Sequence, residues 1–205
     1  MLEFFRTNVS SGKPVLLLDL GGVLADLGDP VSAMGLDMSL AEFWRTWTSS
    51  EVVRALETGR MSVADFLATV PAELGYQGDA LFSKRFYAWK LRLFPGVADL
   101  IREATQEYRV ALLSNTNEIH WRQVNESASV FARFERVFLS YETGHFKPSP
   151  AAFHQVLEFF ECSPGDVIFL DDTEPNISAA RKLGIDARKV VGVTELEQML
   201  ANYGA

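Results

Sequence analysis

Residues Lys13–Leu27 read KPVLLLDLGGVLADL, and the fold turns on this stretch. Val15-Leu16-Leu17-Leu18 is a continuous apolar run, which suits a strand buried on both faces of a parallel sheet. The run stops at Asp19, and Gly21 with Gly22 marks a turn. Working outward, three more apolar runs follow helical segments. Val97–Glu107 leads to Val110-Ala111-Leu112-Leu113, and Asn117–Ser127 leads to Val137-Phe138-Leu139. Pro150–Phe160 leads to Val167-Ile168-Phe169-Leu170. A further helix, Glu174–Leu183, precedes a weaker strand near Ala187–Val191 and a short terminal helix. Helix and strand alternating at this period predict an α/β fold, a Rossmann-like core with a parallel sheet.

Between the first strand and this alternation, residues 28–93 carry helical spacing and no strand signal. Ser39 with Glu42 predicts a capped helix start ahead of Phe43, Trp44 and Trp47, running to about Thr58 and ending at Gly59. Ser62 with Asp65 predicts a second start. A third helix, about Asp79–Arg92, places Phe82, Phe86 and Leu93 on one face and directs Lys84, Arg85 and Lys90 elsewhere. The expected organisation is a core of residues 1–27 and 94–205 with an inserted all-helical unit at 28–93. The run LFSKRFYAWKLRLF mixes aromatic and basic residues, but at helical spacing the aromatics read as a small core and the charges as a solvated face.

The chain has 205 residues, 48% hydrophobic and 22% charged, with 19 Lys and Arg against 27 Asp and Glu and a net charge of −8. That balance argues against nucleic acid or an anionic membrane as the main partner, since both need a basic footprint. The apolar stretch Val15–Leu27 is broken by Asp19 and Asp26 and is too short to span a bilayer. The opening MLEFFRTNVSSGKP lacks the basic start, apolar block and small-residue cleavage site of a secretory leader. With one cysteine, Cys162, no internal disulfide forms, so a reducing cytoplasm is the expected location. Most of the negative charge lies outside 28–93, which holds 7 basic against 8 acidic residues.

In open parallel sheets ligands bind beyond the carboxyl ends of the strands. The residues expected there are Asp19, then Ser114-Asn115-Thr116-Asn117, then a loop with His145, Lys147 and Pro148, then Asp171-Asp172. Taken singly, Asp19 reads as a turn residue, Asp171-Asp172 as the cap of the next helix, and Lys147 as a solvated surface lysine. Together they fit phosphoryl transfer. Asp19 and Asp172 with a backbone carbonyl offer the hard oxygen donors that Mg²⁺ prefers. Lys147 neutralises phosphate charge, and Ser114 with the N–H groups opening the next helix holds phosphate oxygens. Asp19 is then placed to attack phosphorus.

DLGGVLAD, LLSNTN, the lysine in GHFKPSP, and FLDDTEPNI resemble, in order, the four motifs of the haloacid dehalogenase superfamily of aspartate-nucleophile phosphatases. The helical insert resembles the cap that lies between the first two motifs. Within the superfamily these blocks are most similar to bacterial sugar-phosphate phosphatases, including those for α-D-glucose 1-phosphate. The resemblance implies that Asp19 forms an aspartyl-phosphate and that Mg²⁺ is held by Asp19, the Gly21 backbone carbonyl and Asp172. It implies that Asp171 and Asn176 act on the metal directly or by orienting its water, that Ser114 and Asn115 bind phosphate, and that Lys147 bridges phosphate and nucleophile. The substrate would be a small phosphorylated metabolite. Many of these phosphatases carry a general-acid aspartate two residues after the nucleophile, where this chain has Gly21.

Two other readings stay open. One is a metal-free dehalogenase whose aspartate attacks carbon, although Asp171-Asp172 would then have no task. The other is a weakly catalytic binding or regulatory protein, with Gly21 as the lost acid–base group. His120, Trp121 and His145 fall near the expected site as substrate contacts or as packed and surface residues. Asp26 reads as the start of a linker, and Cys162 as inert. The sequence leaves the oligomeric state open.

Overall fold

A computed structural model describes residues 12–77, 80–127 and 129–203. The first part of the chain holds β1 (Val15–Leu18), β2 (Ala25–Asp26), α1 (Pro30–Met34), α2 (Leu40–Ser49), α3 (Glu51–Glu57), α4 (Val63–Glu73), α5 (Phe82–Ala88) and β3 (Arg92–Leu93). Next come α6 (Val97–Glu107), β4 (Arg109–Ser114), α7 (Glu118–Ser127), β5 (Arg136–Leu139), α8 (Ser140–Thr143) and α9 (Pro150–Phe160). The chain closes with β6 (Val167–Asp171), α10 (Glu174–Lys182), β7 (Asp186–Lys189) and α11 (Gly192–Tyr203).

Five strands form one sheet in the order β5-β4-β1-β6-β7, with every neighbouring pair parallel. β1 is central, and its residues alternate between two apolar clusters. Leu16 and Leu18 join Val110, Leu112 and Leu170 on one face. Val15 and Leu17 join Ala111, Leu113, Val167 and Phe169 on the other, beneath α9 and α10. A strand buried on both faces has no polar alternation, and this is why the four-residue apolar run at Val15–Leu18 identified it. The chain builds β4 and β5 on one side of β1 and then crosses to build β6 and β7 on the other, so the sheet's switch point lies at the C-terminal end of β1.

The helical insert starts and stops largely where capping chemistry dictates. Ser39 and Glu42 form a reciprocal capping box at α2, and Ser62 accepts from the Asp65 N–H at α4. The predicted helix from Ser39 to Thr58 is instead two helices. Ser50 breaks it, with extended backbone, and its side chain caps α3 at the Val53 N–H. The break leaves Ser50 buried, where its hydroxyl bonds Glu73 on α4. The predicted third helix is also shorter, and Asp79, its expected first residue, lies outside the described residues, as do residues 1–11 with the leader reading. It ends at Ala88, so Leu93 belongs to β3 and not to a helical face.

β3 corrects the expectation of no strand within 28–93. It pairs antiparallel with β2, Ala25 opposite Leu93 and Asp26 opposite Arg92. Two residues are too few for any hydrophobic period to register. The pair ties the two chain connections to the insert side by side, and the Trp89 indole N–H donates to the Leu27 carbonyl at 2.5 Å across them. Phe43, Trp47, Phe66, Phe86 and Trp89 pack together in the cluster that also holds Leu16 and Leu18 of β1, with Trp47 edge-on to Trp89 at 5.2 Å between ring centroids. Edge-to-face contacts of this kind add to area burial. No helix among the described residues is long and apolar enough to cross a membrane.

Candidate active site

Asp19 directly follows β1, and its N–H continues the sheet ladder to the Leu170 carbonyl at 2.9 Å. Ser114 ends β4, Asp171 ends β6, and Lys147 sits in the loop after α8. Four separate segments therefore meet at the switch point, as their positions after apolar runs predicted.

Lys147 is the centre of the arrangement. Its ammonium is buried, 2.8 Å from Asp19 Oδ1 and 2.6 Å from Asp171 Oδ2. Asp171 is fully buried and occupied: Oδ1 accepts from the Thr173 N–H at 2.8 Å and Asn176 Nδ2 at 3.1 Å. Oδ2 accepts from Lys147 and, at 3.0 Å, from Asn176 Nδ2. Three donors, with Asn176 Nδ2 shared between the two oxygens, occupy Asp171 and leave it orienting Lys147. Asn176 was placed near a metal by resemblance, and the structure puts its amide on Asp171.

Asn115 has a similar positioning task that its sequence context did not reveal. Its Nδ2 donates to the Lys147 carbonyl at 2.9 Å and its Oδ1 accepts from the Lys147 N–H at 2.8 Å. This reciprocal pair clamps the lysine loop onto the end of β4. Next to it, the Ser140 hydroxyl accepts from the Thr116 N–H and donates to the Thr116 carbonyl. Ser114 is buried at the strand end, and Asn115 and Thr116 form the wall of the adjoining cleft.

Asp172 is more open and turns to the cleft, bonded through Oδ1 to the Thr173 hydroxyl at 3.0 Å. Gly22 makes room for it. Its φ is +72°, and a Cβ there would fall on Asp172 Oδ2. Oxygens of Asp19, Asp171 and Asp172 lie within 4.8 Å of one another. Burial pushes the Asp19 carboxyl up to about 7, against the pull of Lys147 and with the charges of Asp171 and Asp172 adding to the rise. Burial also raises Asp172. Burial would lower Lys147, but Asp171 and Asp19 overcome it and hold the ammonium charged. Three carboxylates around one ammonium carry two uncompensated negative charges when ionised. A divalent cation with a preference for oxygen donors fits that deficit, and Asp19 and Asp172 are the carboxylates with capacity left for it.

The cluster floors a cleft of about 560 Å³. Gly21, Leu27, Asn115, Lys147 and Asp172 come from the sheet side, while Trp44, Trp47, Arg54 and Glu57 come from α2 and α3 and Ser50 from the break between them. Glu57 was not singled out from sequence, because a glutamate on a helix reads by default as solvated. It is buried, and the donor groups of Trp47 and Asn117 favour its ionised form without offsetting that burial. Burial lifts its carboxyl to about 7. His120 also lines the cleft, packed edge-on to Trp89 at 4.3 Å. Burial, helped by Lys90, lowers it to about 3, so the ring is neutral. Its Nδ1 lies 3.1 Å from Asn117 Nδ2, a donor, which puts the ring proton on Nε2.

The remaining candidates fall elsewhere. Trp121 packs against Phe131 at 4.8 Å, outside the cleft wall. His145 is exposed. Asp26 accepts from the Gly28 N–H in the connection to the insert. Cys162 is half-buried against the apolar cluster under α9 and α10.

Comparison with known proteins yields a consistent set of likenesses. The family model for haloacid dehalogenase-like hydrolases matches residues 14–184. The chain is 27% identical over 185 residues to D-ribitol-5-phosphate phosphatase of Bacteroides thetaiotaomicron, covering 83% of this chain and 88% of that protein. It is 26% identical over 171 residues to a sesquiterpene phosphatase of Aspergillus oryzae, covering 82% and 85%. A crystal structure of a HAD-family enzyme from B. thetaiotaomicron, in complex with magnesium and inorganic phosphate, superposes with a TM-score of 0.72 at 28% identity, covering 87% and 94%.

Proposed function

The chain belongs to the haloacid dehalogenase-like hydrolases and is a phosphatase among them, and from that premise we propose that it hydrolyses small phosphomonoesters, sugar phosphates first among them, through an aspartyl-phosphate on Asp19. The carrying observation is the buried ion pair of Lys147 with Asp19, 2.8 Å apart, at the floor of a cleft open to a small ligand. Lys147 binds a phosphate oxygen and favours the ionised form of Asp19 for in-line attack on phosphorus. Asp171 and Asn115 fix Lys147, and Asn176 and Thr173 fix Asp171. Ser114 and the N–H groups at the head of α7 receive the remaining phosphate oxygens.

Asp19, Asp172 and the Gly21 carbonyl would hold Mg²⁺, with Asp171 acting through Lys147. Mg²⁺ supplies positive charge that lets an anionic nucleophile approach an anionic ester. That a relative 28% identical was crystallised in complex with magnesium and inorganic phosphate supports this reading. Residues 28–93 act as a cap, with β2 and β3 as its two connections, and Trp44, Trp47 and Arg54 face the leaving group. A sugar ring suits such a wall, since its apolar face stacks on indole while its hydroxyls need polar partners. The single cysteine suits a reducing cytoplasm. Attack on carbon without metal is disfavoured, because it would leave the excess negative charge of the three carboxylates without a use.

The test is release of inorganic phosphate from a panel of sugar phosphates, polyol phosphates, nucleotides and phospho-acids, with Mg²⁺ and with chelator. Turnover in Mg²⁺ that chelator and Asp19→Asn both abolish supports the reading. Chloride release from a 2-haloacid in the presence of chelator overturns it.

A further inference from the structure

The two-step reaction needs a group that protonates the departing oxygen and then deprotonates water, and Gly21 has no side chain to do so. Resting on the phosphatase reading above, we propose that Glu57 of the helical insert is the general acid and base of this active site, touching the leaving-group oxygen across the cleft from Asp19.

Place and partners both support the assignment. Glu57 ends α3 and lines the same cleft as Asp19, Gly21 and Lys147. The end of α3 is seated on the core. A Cβ at Gly59 would fall on the Tyr141 carbonyl, and the Arg54 guanidinium lies 5.4 Å from the Phe146 ring centroid. Asn117, at the head of α7, acts on Glu57 as a donor group, and its Nδ2 bonds His120. The two polar groups acting on Glu57, the Trp47 indole and the Asn117 amide, do so as donors. When Glu57 is protonated, neither accepts its O–H, and the cleft is where an acceptor can arrive.

The other charged or titratable groups around the cleft are committed or unsuited. Arg54 on the same helix stays charged, and His120 on α7 is neutral with Nδ1 engaged. Lys147 is held between Asp19 and Asp171, and Asp172 belongs to the metal set. Glu73 on α4 is bonded to Ser50. Glu57 is also held where acid and base forms coexist near neutral pH, as general acid–base catalysis requires.

In the first step an Asp19 oxygen bonds to phosphorus and the bond from phosphorus to the ester oxygen breaks. The Glu57 proton passes to that oxygen, which leaves as the alcohol. In the second step ionised Glu57 takes a proton from water as the water oxygen bonds to phosphorus and the Asp19–phosphorus bond breaks. Inorganic phosphate leaves, and both carboxyl groups return to their starting states.

The experiment compares wild type with Glu57→Gln on p-nitrophenyl phosphate and phenyl phosphate in saturating Mg²⁺. The first leaving group departs without protonation and the second, being more basic, needs it. Glu57→Gln keeps an oxygen for the Trp47 and Asn117 donors. We expect kcat/KM on phenyl phosphate to fall roughly 10²- to 10⁴-fold, and on p-nitrophenyl phosphate by less than about tenfold. Equal losses on both esters, or no loss on either, overturn the proposal. Should Glu57→Gln fail to fold, Glu57→Asp carries the test. A shift of its substrate ratio toward the nitrophenyl ester supports the proposal, and an unchanged ratio overturns it. Wild type that releases phosphate from neither ester nor from any member of the panel sinks the phosphatase reading itself, a result distinct from a wild type that turns over with an indifferent Glu57.

Discussion

Lys147 and Asp171 form an ion pair at 2.6 Å in which neither side chain reaches solvent. Asp171 has the Thr173 N–H and Asn176 amide as its other donors, while Lys147 has Asp19 as its second partner. The pair thus sets the position of the lysine relative to the nucleophile. A buried charge that loses its partner keeps its desolvation cost without the compensating attraction.

Asp171→Ala therefore leaves Lys147 with one carboxylate where it had two. We expect a loss of about 3–5 kcal/mol in unfolding free energy, the range for breaking a buried ion pair. Urea denaturation with an unchanged m-value would measure it. Asp171→Asn should be milder in stability, because the amide oxygen still accepts from Lys147, yet still lower turnover. A midpoint for Asp171→Ala within error of wild type would show that the pair is not fixed as described.

The two glycines after Asp19 are predicted to differ sharply. At Gly22 a Cβ meets Asp172 Oδ2, at a φ of +72° that L-residues rarely adopt. At Gly21 the nearest atom to a Cβ is Leu27 Cδ2, 2.9 Å away at the free end of a flexible side chain. Gly22→Ala should cost about 1 kcal/mol or more in stability and displace Asp172, removing most turnover. Gly21→Ala should fold normally and keep turnover within about tenfold, once Leu27 has moved. Parallel melting curves and phosphate-release assays on the two variants separate them.

How much of this was legible beforehand depends on where the determining forces act. Val15–Leu18, Val97–Glu107 and Pro150–Phe160 match their predicted bounds, because continuous burial and one-sided burial leave local periods in the sequence. Asp19, Lys147, Asp171 and Asp172 converge because each lies at or beyond the C-terminal end of a strand of one parallel sheet. Ser50 broke a helix that looked continuous, since a single serine gives no local sign that Glu73 will receive its hydroxyl. Adjacent Asp171 and Asp172 are indistinguishable as letters, yet one is held by three donors and the other faces the cleft. Asn115 as a clamp on Lys147, 32 positions away, and Glu57 as a buried acid rest on contacts between segments far apart in the chain. No periodicity encodes those.

Glu57 makes a second, thermodynamic prediction independent of turnover. Its carboxyl titrates near the ordinary 4.5 when unfolded and at about 7 when folded, with burial as the cause. Between these values the folded chain holds the proton more tightly, so this group's contribution to stability falls as pH rises from about 4.5 to about 7. Above that window the loss is complete, at about 3 kcal/mol for a shift of this size. Asp19 and His120 titrate in neighbouring ranges, so the difference between wild type and Glu57→Gln is the quantity to follow. Glu57→Gln should gain on wild type as pH is raised from 4.5 to 8. A constant difference across that range would mean that Glu57 is ionised in the folded protein throughout.

The uncompensated charge of the three carboxylates leads to the remaining prediction, which needs no substrate. A cation that binds only the folded state stabilises it by mass action, by about 2.7 kcal/mol at a hundred times its dissociation constant. For a chain of this size that corresponds to a rise of about 5–10 °C in Tm. Mg²⁺ should therefore raise Tm along a saturating curve, while NaCl at matched ionic strength should not, because general screening does not saturate at a single site. Asp172→Asn should abolish the Mg²⁺ response while folding normally without metal, since Asp172 is the more open carboxylate and its neutral amide relieves like-charge repulsion. Asn176→Ala should leave the response largely in place, because its amide serves Asp171 and not the cleft. If Asn176→Ala abolished the response and Asp172→Asn spared it, the roles drawn from the donors at Asp171 would be reversed.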